Sequence, residues 1–399
     1  MAAELAAIVV ERVRRRGPLP FEEVIDLALY HPAHGFYGRG QGAGRQRDFL
    51  TSPEVGPLFG AVIARALDTW WAAIGEPDPF VVVEAGAGIG TLAAAVVAAG
   101  PRCAPVLRYL LVERSEGLRR QLARGLHLEP ASLVLGPASD DETDPVPGHA
   151  VAVRGRPRDW LMGGSATRAG RPRLASLPEL PVGPFDGVVI ANELLDNLAF
   201  GLLQRSAQST PGERRWDEVR VDEGLREVLV PAAPDLADEA DRWAPGATEG
   251  ARIPLQRAAA AWLRAALTCL RRGRVVVVDY ADTTPGMARR PWTEWARTYR
   301  AHGRGAGPLA DLGDQDVTCD VALDQLAGVR QPIVDRSQAD FLVAHGIDAL
   351  VTEARQTWHG RAAIGDLAAL TARSRVTEAA ALTDPTGLGA FRVLEWQVG

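Results

Sequence analysis

The chain has 399 residues, 47% of them hydrophobic, with 44 basic residues against 50 acidic ones and a formal charge of −6. It is an ordinary globular protein, long enough for two or three domains. No basic run is interleaved with aromatics, which excludes a nucleic-acid partner on electrostatic grounds, and every basic residue is arginine, a bias we ascribe to genome composition. Cys103, Cys269 and Cys319 are widely separated, with no CxxC and no histidine at ligand spacing, so neither structural zinc nor a disulfide framework is expected.

Residues 1–76 read as a helical cap with a substrate-side loop. Leu5, Ile8, Val9 and Val13 recur at helical spacing, Pro18 and Pro20 end that segment, and Phe21, Val24, Ile25 and Leu29 begin a second helix. Charges every few residues through MAAELAAIVVERVRRRG leave no apolar core for a secretory signal or a membrane span, so the cytoplasm is the expected location. Residues 31–49, HPAHGFYGRGQGAGRQRDF, are too polar and glycine-rich for a core element. Their aromatics, Phe36, Tyr37 and Phe49, favour a functional loop. His31 and His34 lack an acid at matching helical spacing and read as structural, and Trp70 and Trp71 read as helix core.

Residues 80–92, FVVVEAGAGIGTL, read as strand, tight loop and helix. Gly86, Gly88 and Gly90 permit positive φ and carry no Cβ, so a nucleotide-like ligand can lie against the backbone there. Thr91, Leu92 and Ala93 follow the last glycine where a phosphate-binding loop needs Lys and Ser/Thr, and the GxGxG spacing departs from the GxGxxG of nicotinamide enzymes. With Glu84 two residues ahead of its first glycine, the loop is similar to the first motif of S-adenosylmethionine (SAM) dependent methyltransferases. Residues 108–112, RYLLV, read as the next buried strand. It ends at Glu113, where a Rossmann-like fold places the carboxylate that accepts the ribose hydroxyls.

The helix GLRRQLARGLHL follows, then a short third strand at 131–135 and a polar loop insertion at 136–172. Residues 185–190 read as the fourth strand, and 191–198 as a loop opening a helix, with Asn192, Glu193 and Asp196 turned to the ligand crevice. Residues 204–230 suggest a β-hairpin, 258–270 a helix ended by Gly273, and 275–278 a buried strand ending in Asp279 and Tyr280. Residues 389–398 alternate as a final antiparallel edge strand. The expected architecture is α/β: a Rossmann-like core at 77–200 and 251–281 with an N-terminal helical cap at 1–76. A hairpin excursion occupies 201–250, lid segments 282–350, and 351–399 completes the core sheet.

PLPFEEVIDLALYHPAHGFYG and RDFLTSPEVGPLFG, followed by EAGAGIGTL, ANELLDNLAF, RVVVVDYAD, HGRGAGPLADLGDQDVT, SQADFLVAHGI and GLGAFRVLEW, resemble the MidA family of SAM-dependent methyltransferases. The resemblance spans nearly the whole chain. It implies a family whose mitochondrial members are complex I assembly factors with protein arginine methyltransferase activity. Departures fall on the acceptor side: Ala199 stands where the family has proline, Ala281 where it has glycine, and DVTCDVAL replaces DLTAHVDF, with Asp320 for a histidine and Ala322 for an aspartate.

Methyl transfer from a sulfonium is a direct displacement that needs positioning and exclusion of water, and no metal. Gly86, Gly88, Gly90 and Glu84 are expected at the backbone and methionine end of SAM, Glu113 at its ribose, and Asn192 at the opposite wall. An arginine acceptor would be fixed by Glu193 and Asp196, three apart at a helix start, with Asp48 and Thr51 as further substrate-side residues. The acceptor is a protein or a small molecule, and a homodimer is allowed. The alternatives are a small-molecule methyltransferase and a non-catalytic SAM-binding assembly factor.

Overall fold

The computed structural model describes residues 2–40, 51–135, 170–207, 216–300 and 303–399, which divide into two compact units. One holds the described residues from 51 to 192 together with Ala265–Val278 and Pro332–Gly399. The other holds residues 2–40 together with the described parts of Glu193–Arg264 and Asp279–Gln331. These units cut across the segments expected from the sequence. The 1–76 cap is divided between them, and the hairpin excursion shares a unit with the first helices and most of the lid.

The unit that carries the glycine loop is built on a seven-stranded sheet. In spatial order its strands are Val334–Ser337, Arg392–Val398, Leu270–Asp279, Phe185–Asn192, Phe80–Ala85, Leu107–Val112 and Arg173–Leu177. The last five of these pair in parallel. That explains their continuous Val and Leu runs, since parallel strands covered on both faces show no polar alternation. Pro57–Ala73 and Thr91–Ala99 pack closely in the same unit, where Gly60 lies against the Ala95 methyl.

Three sequence readings are corrected in this unit. Residues 131–135 form a helix, Ala131–Leu135, in which the Pro130 carbonyl accepts the Leu133 and Val134 N–H groups. Five apolar-rich residues do not distinguish strand from helix by period. The strand beside Leu107–Val112 is Arg173–Leu177, beyond the insertion. Gly273 does not end a helix. The helix stops at Thr268, and Gly273 sits inside the Leu270–Asp279 strand opposite Gly187. Arg392–Val398 is antiparallel as expected but is not the edge, because Val334–Ser337 pairs outside it.

The second unit is dominated by antiparallel pairing. Leu19–Pro20, Trp216–Val221, Gly201–Arg205 and Arg252–Leu255 lie in that order, with Glu227–Pro231 hairpinned to Trp216–Val221 through Asp222. A separate sheet of Gly303–Arg304, Ala296–Arg300 and Asp316–Cys319 accompanies it. Ala2–Arg16 and Phe21–Tyr30 cover these strands through Leu5, Val9, Phe21 and Val24, which share a core with Phe200, Val219, Trp295 and Val317. The helical spacing of those apolar residues is thus a buried stripe.

Candidate active site

Gly86, Gly88 and Gly90 follow the carboxyl end of Phe80–Ala85, all at positive φ. The loop is closed from below by the Gly86 and Ala87 N–H groups, which donate to the Val112 carbonyl, and Gly90 N–H returns to Ala87 O at 2.8 Å. A Cβ on Gly90 would press on Leu126 Cδ1 at 2.7 Å, whereas one on Gly88 would meet nothing within 4 Å. Gly90 is therefore required chiefly by its positive φ, since the leucine tip can turn aside, and Gly88 borders open space over which a ligand can lie. Glu113, buried at the end of Leu107–Val112, accepts from Gly88 N–H at 3.0 Å and Ser115 N–H at 2.8 Å. A carboxylate offers about four lone-pair directions, so two remain for the hydroxyls of a ribose. Burial raises the Glu113 carboxyl above its usual range while the two backbone donors oppose that shift.

Glu84 is placed differently from the expectation that it meets the methionine end. Its carboxyl is buried and accepts the Tyr109 hydroxyl at 2.7 Å, with the Ala93 N–H as a second donor. Its visible work is to tie Phe80–Ala85 to Leu107–Val112 and to the helix after the loop. Burial pushes it up to about 7 from 4.5. With the folded value above the unfolded one, its contribution to stability is complete below the unfolded value and lost as pH rises through about 7. Glu84→Gln should remove that dependence, so wild type should lose roughly 3 kcal/mol more than the variant between about pH 5 and about pH 8. Denaturant unfolding at the two pH values measures this, and parallel losses in both proteins would contradict it.

Asn192 ends Phe185–Asn192, partly exposed, in register with Val278. The residues after it do not open a helix. Glu193 adopts φ 51°, Leu195–Asn197 makes a single 3-10 turn, and the chain enters the Gly201–Arg205 strand. The turn is held by Asp279, whose Oδ2 accepts the Leu195 and Asp196 N–H groups at 2.9 and 3.2 Å and whose Oδ1 accepts Tyr280 N–H at 2.9 Å. A carboxylate thus replaces the helical hydrogen bonds that the sequence reading supplied.

Around that turn the second unit gathers an acidic constellation. Asp196, Asp279, Asp316 and Asp320 are all buried. Asp316 accepts from Asn197 Nδ2 at 3.1 Å and from the Tyr37 hydroxyl. Asp320 is held by Arg297 at 2.6 Å and Arg290 at 3.3 Å, and the Arg297 guanidinium lies 5.0 Å from the Tyr280 ring centroid. Asp196 Oδ1 is buried with no hydrogen-bond partner among the described residues. Burial, followed by the nearby Asp279 and Asp316 charges, holds the Asp196 carboxyl well above its usual range. Asp279 is likewise raised by burial and then by Glu193. Carboxyls this close, short of counter-charge, are arranged to take up a cation or a proton.

Sequence reasoning picked Glu193 and Asp196 but assigned no role to Asp279, Asp316, Arg297 or Tyr37. The available signal was the acidic DLGDQDVTCD run, read as lid and, through Asp320, as a departure from the family on the acceptor side, with no role for its carboxylates. The HPAHGFY stretch folds back on the Phe21–Tyr30 helix: His31 Nδ1 accepts the Ala33 and His34 N–H groups, and Phe36 and Tyr37 N–H donate to Ala28 and Leu29 carbonyls. This packing gives the histidines a structural role and delivers Tyr37 to Asp316. Thr51 is buried at the N-cap of Ser52–Val55 without a side-chain cap bond, in the glycine-loop unit, and Asp48 lies outside the described residues. Among the described residues no group of three or more His, Cys, Asp or Glu is set to hold a metal ion, and no helix is long and apolar enough to cross a membrane.

A parallel sheet with a GxGxG loop after one strand and a ribose-type acid after the next defines the Rossmann-like fold of class I SAM methyltransferases. The chain belongs to the family described as "Putative S-adenosyl-L-methionine-dependent methyltransferase", matched over residues 62–336, as the resemblance drawn from its motifs implied. A Burkholderia thailandensis protein solved with S-adenosyl-homocysteine bound shares the fold, with a TM-score of 0.72 at 24% identity over 99% of this chain and 92% of its own. Among curated proteins, the mitochondrial protein arginine methyltransferase NDUFAF7 homolog of Drosophila melanogaster is 38% identical over 22% of this chain and 20% of its own length. The Mus musculus protein arginine methyltransferase NDUFAF7, also mitochondrial, is 29% identical over 56% of this chain and 48% of its own. The chain spans about half or less of the length of these relatives.

Proposed function

We propose that this chain transfers a methyl group from SAM to a cationic nitrogen, with an arginine side chain of a protein as the acceptor. The observation that carries the acceptor class is the buried, unpartnered Asp196 Oδ1 among Asp279, Asp316 and Asp320. A planar guanidinium neutralises such a cluster and is fixed by it, whereas a neutral or anionic acceptor leaves it short of counter-charge. The names of the curated relatives support the same acceptor.

The glycine loop and Glu113 would hold the cofactor, which the open space over Gly88 fits. When bound, it supplies an electrophilic methyl group on a sulfonium. Asp196, with its raised proton affinity, is suited to receive the proton that the methylated nitrogen releases. A small cationic metabolite is the second reading, favoured by Arg297, which already engages Asp320 and the Tyr280 ring and so narrows acceptor recognition to Asp196 and Glu193. The cytoplasm is the proposed location.

Incubating extracts with methyl-labelled SAM and this protein separates the acceptors: a labelled protein band supports the first reading and a labelled small molecule the second. Asp196→Asn should lower methyl transfer by at least about 100-fold while leaving SAM affinity within about threefold, because one ionic contact to the acceptor is removed and none to the cofactor. Undiminished turnover in that variant would remove Asp196 from the reaction.

A further inference from the structure

The strand Asp316–Cys319 is buried along its whole length, but its two faces differ. Val317 and Cys319 belong to the apolar core shared with Phe21 and Trp295. Alternation puts Asp316 and Thr318 on the other face, with Asp320 next in line beyond the strand. Asp316 and Asp320 both act on the Asp196 carboxyl, so Thr318 stands between two acids that face it. Directly opposite Thr318, in the Ala296–Arg300 strand, is Arg297, whose guanidinium holds Asp320 from that same face. Thr318 is 4% exposed, and its Oγ1 has no hydrogen-bond partner among the described residues. Asp196, also 4% exposed, shows the same lack at Oδ1.

We propose that Thr318 is an acceptor-binding residue whose hydroxyl oxygen receives a second N–H of the guanidinium that Asp196 holds. This rests on the arginine acceptor proposed above and extends it to a residue to which the sequence assigned no role. Burying a hydroxyl without a partner costs stability, and such groups are rare in native proteins. In the same unit the hydroxyls of Thr284 and Thr298 are both hydrogen-bonded, to Asp324 and to the Ala306 carbonyl. A guanidinium carries five N–H donors and no acceptor, so it pairs a carboxylate oxygen and a hydroxyl oxygen in one bound geometry. The two buried oxygens without partners on the acid-lined side are of those two kinds. A competing use of the Thr318 hydroxyl lies across the strand pair, where Arg297 Nε is also buried without a hydrogen-bond partner among the described residues and a bridging water would join the two. The two uses differ in the free protein: a hydroxyl kept for the acceptor contributes nothing to stability there, whereas one that serves Arg297 does.

Thr318→Val keeps the shape and removes the oxygen, and Thr318→Ser keeps the oxygen. Three measurements on wild type and both variants test the assignment: transfer of methyl label from SAM to extract, thermal unfolding without acceptor, and calorimetric titration with S-adenosylhomocysteine. Loss of one hydrogen bond to a charged acceptor should slow label transfer by Thr318→Val about 10- to 100-fold, with Thr318→Ser recovering most of the rate and S-adenosylhomocysteine affinity within about twofold of wild type in both. The melting temperature of Thr318→Val should equal that of wild type or exceed it by up to about 3 °C, because a buried oxygen without a partner has been removed. Label transfer by Thr318→Val within about threefold of wild type would overturn the assignment. So would a melting temperature lower by more than about 3 °C, which would give the hydroxyl to Arg297 in the free protein. Wild-type protein that transfers no label would overturn the methyl-transfer reading itself, and this inference with it.

Discussion

Glu113→Ala is expected to weaken cofactor binding by about 1,000-fold, from the loss of two charge-assisted hydrogen bonds to ribose hydroxyls. The same substitution leaves Gly88 N–H and Ser115 N–H without their 3.0 and 2.8 Å acceptor, so the glycine loop itself loses a tether. Glu113→Gln keeps one acceptor oxygen but not the charge, and should fall between the two. Titration of each variant with S-adenosylhomocysteine measures the effect. An affinity for Glu113→Ala within about threefold of wild type would mean that the acid closes the loop and takes no part in binding.

Gly187→Ala is expected to be among the most destabilising single methyls added to the core sheet. Gly187 is buried in the Phe185–Asn192 strand, facing Val81 on one side and Gly273 on the other. A Cβ there would collide with the Val81 carbonyl, and a Cβ on Gly273 would collide with the Gly187 carbonyl. The atoms struck are backbone in the middle of a parallel ladder, so relief requires three strands to separate rather than one side chain to turn. A loss of at least about 4 kcal/mol, or no soluble protein, is expected, against about 1 kcal/mol for Gly100→Ala. Gly100 also has positive φ, but a Cβ there would meet nothing within 4 Å. Thermal unfolding of the two variants separates collision from backbone strain, and similar melting temperatures would refute the steric account.

The cofactor half of the site was legible because its signals are local. FVVVEAGAGIG contains a strand, three glycines and their order in one stretch, and Glu113 follows the next apolar run. A buried parallel strand must be apolar throughout, and a loop that approaches a ligand must lack side chains, so fold and composition constrain each other there. The same locality misled at 131–135, where an apolar run of five fits a helix or a strand equally, and at Gly273, where a glycine that admits a neighbouring strand looked like a helix terminator.

The acceptor side was legible only in part, because its residues meet through pairing rather than through any pattern of their own. Asp196 lies on a turn, Asp279 at the end of a strand, Asp316 and Asp320 near a sheet far along the chain, and Tyr37 in an N-terminal loop. Nothing in the periodicity around Asp279 distinguishes a carboxylate that holds three backbone N–H groups from one that points to solvent. The sequence by itself determined the parallel sheet, the glycine loop, its distal acid and the family, since each follows from residues in contact with their chain neighbours. The tertiary structure alone decided which acids are buried together, which of them Arg290 and Arg297 neutralise, and that Asp196 keeps an oxygen without a hydrogen-bond partner among the described residues. Burial and charge pairing depend on residues hundreds of positions apart, and long-range packing sets them.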